Sequence, residues 1–283
     1  MAGREVTAGE MLAEVVSDLV AEIRAKAPAA LADEPDAVHQ LRTAVRRPRN
    51  VLAAFSQHVQ PSAVGGLRSQ LAEYGDRLGL ARDLEVRAAW CQAVATEVGL
   101  ADELRECLVR PLVEARTQAH AALVRWAGSP HADPVRSILA RWADASELLG
   151  STARPAPVVA REVLAAQVER VDGHAKSYRS DLEATHALRK AARRLRHTAD
   201  AVTRPPAAVL GPDAAALGDL GSRVQSLLGE HRDALLLVDY VRGSLPDGAA
   251  ERAPYDSLIE AAERRAAAAI AAVPEVLTQL HAC

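Results

Sequence analysis

The chain is poor in aromatic residues: one Phe, three Trp and four Tyr among 283 residues. So few rings leave little to stack on nucleobases, and the core must be built from aliphatic side chains. Cysteine is scarce as well. Cys91, Cys107 and Cys283 have neither metal-ligand nor Cys-x-x-Cys spacing, so no zinc site or disulfide framework is expected and the thiols should stay reduced. Long apolar runs are missing too. Glu5, Glu10, Glu14 and Asp18 interrupt the first candidate span, which argues against a signal peptide or membrane helix and places the protein in the cytoplasm. A Gly-rich phosphate loop and the paired acidic motif of a phosphate-processing enzyme are also absent, so no catalytic residue, cofactor or metal site is expected.

What is abundant is aliphatic and helix-forming. A hydrophobic content of 49%, with few β-branched runs between turn residues, points to an all-α fold packed with Leu, Val and Ala. The formal net charge of −3 argues against a generic polyanion binder. The basic residues are concentrated, however, so the local potential matters more than the sum.

They concentrate first in His186-Ala-Leu-Arg-Lys-Ala-Ala-Arg-Arg-Leu-Arg-His197. At about 100° per residue, His186, Arg189, Lys190, Arg193, Arg194, Arg196 and His197 share one half of a helix, while Leu188, Ala191, Ala192, Leu195, Ala199 and Val202 face the other way. No carboxylate interrupts the cationic half. Solvated helices usually alternate signs at i,i+4, so a face of one sign asks for an anion.

The pattern occurs twice. Val38 to Asn50 aligns without gaps on Thr185 to His197, matching His39 to His186, Arg42 to Arg189, Arg46 to Arg193, Arg47 to Arg194 and Arg49 to Arg196. Leu78-Gly79-Leu-Ala-Arg82-Asp83 is then echoed by Leu228-Gly229-Glu-His-Arg232-Asp233 at nearly the same distance downstream. Two matches in the same order indicate an internal duplication and two similar bundles related by a pseudo-two-fold. Arg82 and Asp83 allow two readings: an ion pair with each other, or an Asp83 that orients an arginine of the basic helix.

The doubled His-x-x-Arg-x-x-x-Arg-Arg-x-Arg followed by Leu-Gly-x-x-Arg-Asp resembles the CHAD family of histidine-containing α-helical domains, over about residues 6–278. The resemblance implies two four-helix bundles, 6–150 and 158–278, around a basic central groove. It also implies non-catalytic binding of inorganic polyphosphate, in the cytoplasm and at polyphosphate granules. Carried onto this sequence, the binding residues would be His39, Arg42, Arg46, Arg47, Arg49 and Arg82 in the first half. Those of the second would be His186, Arg189, Lys190, Arg193, Arg194, Arg196, His197 and Arg232. Family members are sometimes joined to a triphosphate-hydrolysing tunnel domain, but no Glu-x-Glu-x-Lys strand occurs here. The first copy departs from the pattern at Thr43, Asn50 and Pro48, and the proline predicts a kink near residues 44–47.

The periodicity predicts helices over 6–26, 36–58, 67–78, 85–98, 102–126, 135–149, 158–178, 213–228 and 256–280, with 235–241 helical by context. Asp36 is the expected N-cap of the first basic helix. Pro28 with 33–35, 61–66, 205–212 and 246–248 read as turns, and 150–157 as the internal boundary. Arg4, Arg24 and Lys26 are placed to edge a groove but read as solvated surface. Lys176, Tyr178 and Arg179 lie near enough to His186 to reach the same anion. His120 and Trp126 read as structural, and Arg264 and Arg265 as exposed.

Polyphosphate carries about one charge per phosphate and no bases, so its receptor needs many donors and no stacking platform; the planar fork of arginine suits it. Nucleic-acid binding by the same faces is the second reading, although helix-turn-helix, zinc-finger and RNP-type signatures are missing. A metal bundle is disfavoured because His39 and His186 lie on the cationic side.

Overall fold

The computed structural model describes residues 5–148, 150, 152–245 and 249–282. Arg4, Cys283 and the turn expected at 246–248 lie outside the described residues. The described chain is helical almost throughout: α1 (Ala8–Leu31), α2 (Ala37–Ala54), α3 (Pro61–Glu97), α4 (Asp102–Ala127), α5 (Asp133–Arg141), α6 (Ala156–Ala175), α7 (Leu182–Thr203), α8 (Pro212–Gly243) and α9 (Ala249–His281). Short 3₁₀ turns at Pro130–Ala132 and Ser146–Leu148 flank α5.

α1 starts with a reciprocal cap, in which Thr7 Oγ1 accepts from the Glu10 amide at 3.2 Å and Glu10 accepts from the Thr7 amide at 2.9 Å. It does not stop at Lys26 but runs through Pro28 to Leu31. The terminal carbonyls find partners there: the Ala32 amide bonds Pro28 O, and His120 of α4 lies 2.8 Å from Ala30 O. Asp36 precedes α2 in a left-handed conformation (φ 59°) and makes no side-chain cap, contrary to the expectation for it. Pro48 lies inside α2. α2 is continuous to Ala54, and burial of the proline ring offsets the missing backbone bond.

The largest correction concerns α3 and α8. The turn expected at 61–66 is the first turn of α3, with Pro61 at a position where a missing N–H costs nothing. The helices expected at 67–78 and 85–98 are one rod, and α8 likewise joins 213–228 to 235–241. Leu-Gly-x-x-Arg-Asp is therefore an interior motif of a long helix. Its glycine is where the arginine of a crossing helix passes: a Cβ at Gly79 would lie 3.5 Å from Arg42 Nη2, and one at Gly229 would lie 3.1 Å from Arg189 Nη2. The predicted helix over 135–149 is shorter in the structure, ending at Arg141.

Helix α2 packs on α1, α3 and α7, and α7 on α6, α8 and α2, so the two basic helices meet at the centre. Apolar side chains gather in three clusters. One, around Met11, Phe55 and Trp142, belongs mainly to α1–α6; a second, around Leu188, Leu195 and Val273, belongs to α6–α9. The third joins Cys91 and Leu108 of α3 and α4 to Leu237 and Leu258 of α8 and α9. The core thus crosses the boundary expected at 150–157.

The segments entering α1 and α6 also pair. The Ala8 amide donates to Arg154 O at 2.8 Å, and the Ala156 amide donates to Val6 O at 2.9 Å. Each bond satisfies an otherwise orphaned donor at a helix start.

Candidate functional site

Two adjoining recesses, of about 360 and 680 Å³, open where α2 and α7 cross between α3 and α8. Both are walled by Arg42 and Arg46 of α2, Arg189 and Arg193 of α7, and Asp83 and Arg232 of the long helices. Beyond that shared wall, the smaller recess takes in His39, Arg82, Arg196 and His197, and the larger takes in Arg49, His186, Lys190 and Arg194. Thirteen of the fourteen residues singled out from the sequence therefore come together.

Arg47 does not. It turns towards α1 and bonds Glu22 there at 2.9 Å, beside a small recess shared with Asp200 and Arg204. The aligned neighbours Arg193 and Arg194 of α7 both line the larger recess, so the carboxylate of Glu22, not helix geometry alone, accounts for the departure of Arg47. His197 borders the cleft but is only 4% exposed, with Nδ1 2.8 Å from Asn50 Nδ2. Burial first, then Arg196 and Arg47, hold its pKa well below the ordinary histidine value. It is a neutral pin between α7 and α2 rather than a cationic contact, which corrects its place on an outward basic face. Lys176, Tyr178 and Arg179 do not line the cleft; Tyr178 is buried, with the Arg179 guanidinium over its ring.

The charge balance of the cleft is one-sided. Eight arginines line the smaller recess against Asp83 and Asp233, and eight arginines with Lys190 line the larger against Asp83. Asp83 bonds Arg42 Nη1 at 2.7 Å, the arrangement in which it orients a basic-helix arginine; its neighbour Arg82 pairs with Glu85 at 3.0 Å instead. Arg196 has Asp200 at 3.9 Å. Among the described residues, no carboxylate comes within ion-pair distance of Arg46, Arg49, Arg189, Lys190, Arg193, Arg194 or Arg232. The buried Nε atoms of Arg42, Arg87, Arg189 and Arg194 also lack a hydrogen-bond acceptor.

Crowding of like charges shows in the titration behaviour. Burial, reinforced by Arg42 and Arg193, pulls the Arg46 guanidinium down to about 9; burial with Arg189 and Arg42 pulls Arg193 down to about 10. Both stay cationic at neutral pH, at an energetic cost that an anion would relieve. His39 is lowered by burial and by Arg82, and His186 by burial and by Lys190. Burial raises the Asp233 carboxyl, against the pull of Arg189 and Arg232.

Arg87 was not singled out from the sequence, although it lies one turn beyond Asp83 on the same face of α3, a spacing that could have pointed to it. Gln225, Ser226 and Ser69 join the lining with no signal of their own. Arg68 of α3 edges the larger recess.

These features define an all-α bundle protein with a cation-lined cleft at the crossing of two helix pairs. The CHAD domain family model matches residues 14–242, and the chain belongs to that family. Relatives include the uncharacterised proteins Rv2226 and MT2285 of Mycobacterium tuberculosis strains H37Rv and CDC 1551, each 28% identical over 240 residues, or 78% of this chain. The match spans 43% of each relative's length. Among solved structures, the CHAD domain from the plant Ricinus communis superposes with a TM-score of 0.69 at 18% identity, over 99% of this chain and 93% of that one. PptA from Streptomyces chartreusis does so with a TM-score of 0.70 at 19% identity, over 98% of this chain and all of that one. At these identities the likeness is one of fold. No helix among the described residues is long and apolar enough to cross a membrane.

Proposed function

We propose that the protein is a non-catalytic receptor for inorganic polyphosphate, held in the central cleft. The observation that carries the reading is the convergence of Arg42 and Arg46 with Arg189 and Arg193 on one cavity, three of the four having no carboxylate partner. Guanidinium donors stay charged and bond two oxygens at once, which suits a repeating phosphate. Among the described residues, the cleft lining offers no Phe, Tyr or Trp on which a base could stack. Binding without turnover agrees with Asp83 being held by Arg42, where it orients a donor instead of serving as a base.

The same contacts favour polyphosphate over a nucleic-acid strand. Asn50 and His197 occupy aligned positions in the two copies of the motif, and their side chains meet. Equivalent residues touch each other at a two-fold axis, so we read the halves, 6–150 and 158–278, as pseudo-two-fold partners in one domain. A ligand lying across that axis should look alike from both ends. Linear polyphosphate does; a single nucleic-acid strand has a direction.

Replacing Arg189, Arg193 and Arg196 with Ala should abolish retention on long-chain polyphosphate while leaving helicity by circular dichroism intact. Unchanged retention would remove the assignment. Wild-type retention should fall steeply with salt, as it does when condensed counterions are released. In competition at equal phosphate concentration, duplex or single-stranded DNA displacing polyphosphate would favour the nucleic-acid reading.

A further inference from the structure

The two recesses are related in part by the motif alignment. His39, Arg82 and Arg196 of the smaller correspond to His186, Arg232 and Arg49, all of which line the larger. Within the shared wall Arg42 maps onto Arg189 and Arg46 onto Arg193, whereas Asp83 and Arg232 map onto Asp233 and Arg82, which line only the smaller. Each recess nevertheless keeps cations of its own. Arg82, Arg87 and Arg196 serve only the smaller, whereas Arg49, Arg68, Lys190 and Arg194 serve only the larger.

From this geometry we infer that the cleft is two half-sites, each able to hold one short oligophosphate, and that a longer chain gains affinity by crossing the shared arginine wall to fill both. The inference rests on the polyphosphate reading and adds its stoichiometry and length dependence. A guanidinium has five N–H donors spread around a plane, so a wall arginine can donate to an anion on either side. The private cations supply the charge that lets both sides fill at once. Two bound anions repel across the wall, so the second short chain binds more weakly than the first. Joining the two anions covalently makes the second contact intramolecular, worth about 10²- to 10⁴-fold in affinity when the span fits.

The half-sites are not equal. Arg87 corresponds to Leu237, Lys190 to Thr43, and Arg194 to the diverted Arg47. The larger recess meets one carboxylate and the smaller two, so the larger fills first.

Isothermal titration of the full chain with tripolyphosphate at low salt should saturate near two equivalents, with unequal affinities. Longer oligophosphates should shift the endpoint towards one equivalent and bind at least about a hundredfold more tightly. Arg82→Ala with Arg87→Ala should remove only the weaker tripolyphosphate event, and Arg68→Ala with Lys190→Ala should weaken the stronger. Arg68 and Lys190 are exposed, so that pair leaves the packing undisturbed. Saturation by one tripolyphosphate, or both paired variants weakening a single event alike, would overturn the half-sites while leaving polyphosphate binding in place. Failure of phosphate chains of every length to bind would overturn both readings.

Discussion

Asp83 illustrates how one carboxylate governs a cationic cavity. It fixes the guanidinium of Arg42, whose side chain is only 13% exposed, and offsets one charge at the wall common to both recesses. Asp83→Asn should leave that charge uncompensated and tighten polyphosphate binding several-fold, measured by titration at fixed ionic strength. The loss in stability should stay below about 1 kcal/mol, because the carboxylate is 45% exposed and solvent screens the pair. The arginine ladders were legible in the sequence because same-sign charge at helical spacing has few structural explanations. The departure of Arg47 was not, since its partner Glu22 lies on another helix and a helical wheel cannot tell which of two neighbouring arginines will find one. Burial of His197 was equally hidden. It depends on Asn50, a position that reads in the sequence only as a weakened copy of the motif.

At the scale of elements, glycine carried the misleading signal. Gly65, Gly66, Gly79 and Gly229 resemble punctuation, yet all lie inside α3 or α8. Gly221 explains why such residues sit there: a Cβ would come within 2.9 Å of Ala192 O and 3.2 Å of the Arg196 amide nitrogen, both backbone atoms of α7. Gly221→Ala should therefore push α7 away and cost about 1–3 kcal/mol in denaturant unfolding, with polyphosphate affinity falling as Arg193 and Arg196 shift. Gly65→Ala, which meets nothing within 4 Å, should be stabilising by a few tenths of a kcal/mol or more. The fold class needed only composition and period, whereas the lengths of the helices depended on which glycines face a neighbour, a tertiary fact.

At the scale of the whole molecule, pH should act on binding and on folding with opposite signs. His39 and His186 are neutral in the empty cleft at pH 7, their pKa values lowered chiefly by burial. A bound polyanion favours their protonated forms, so the complex takes up protons and affinity rises as pH falls below about 6.5. His39→Gln with His186→Gln should flatten this rise in titrations between about pH 7.5 and 5.5. For His197 the folded pKa lies below the unfolded value near 6.5. Its contribution to stability is present above that value and declines as pH falls through it towards the folded pKa. Denaturation midpoints should drop over the same acid range, and His197→Gln should lessen the drop.

The reciprocal pairing of Val6 with Ala156 and of Ala8 with Arg154, together with the core cluster that joins α3 and α4 to α8 and α9, has a mechanical corollary. Covalent continuity between the halves is dispensable once folding is complete. A chain cut by protease between residues 148 and 152 should still elute from a sizing column as one particle. Two separately encoded pieces ending and starting at that cut should find each other when co-expressed, yielding a split protein that reports on its own reassembly.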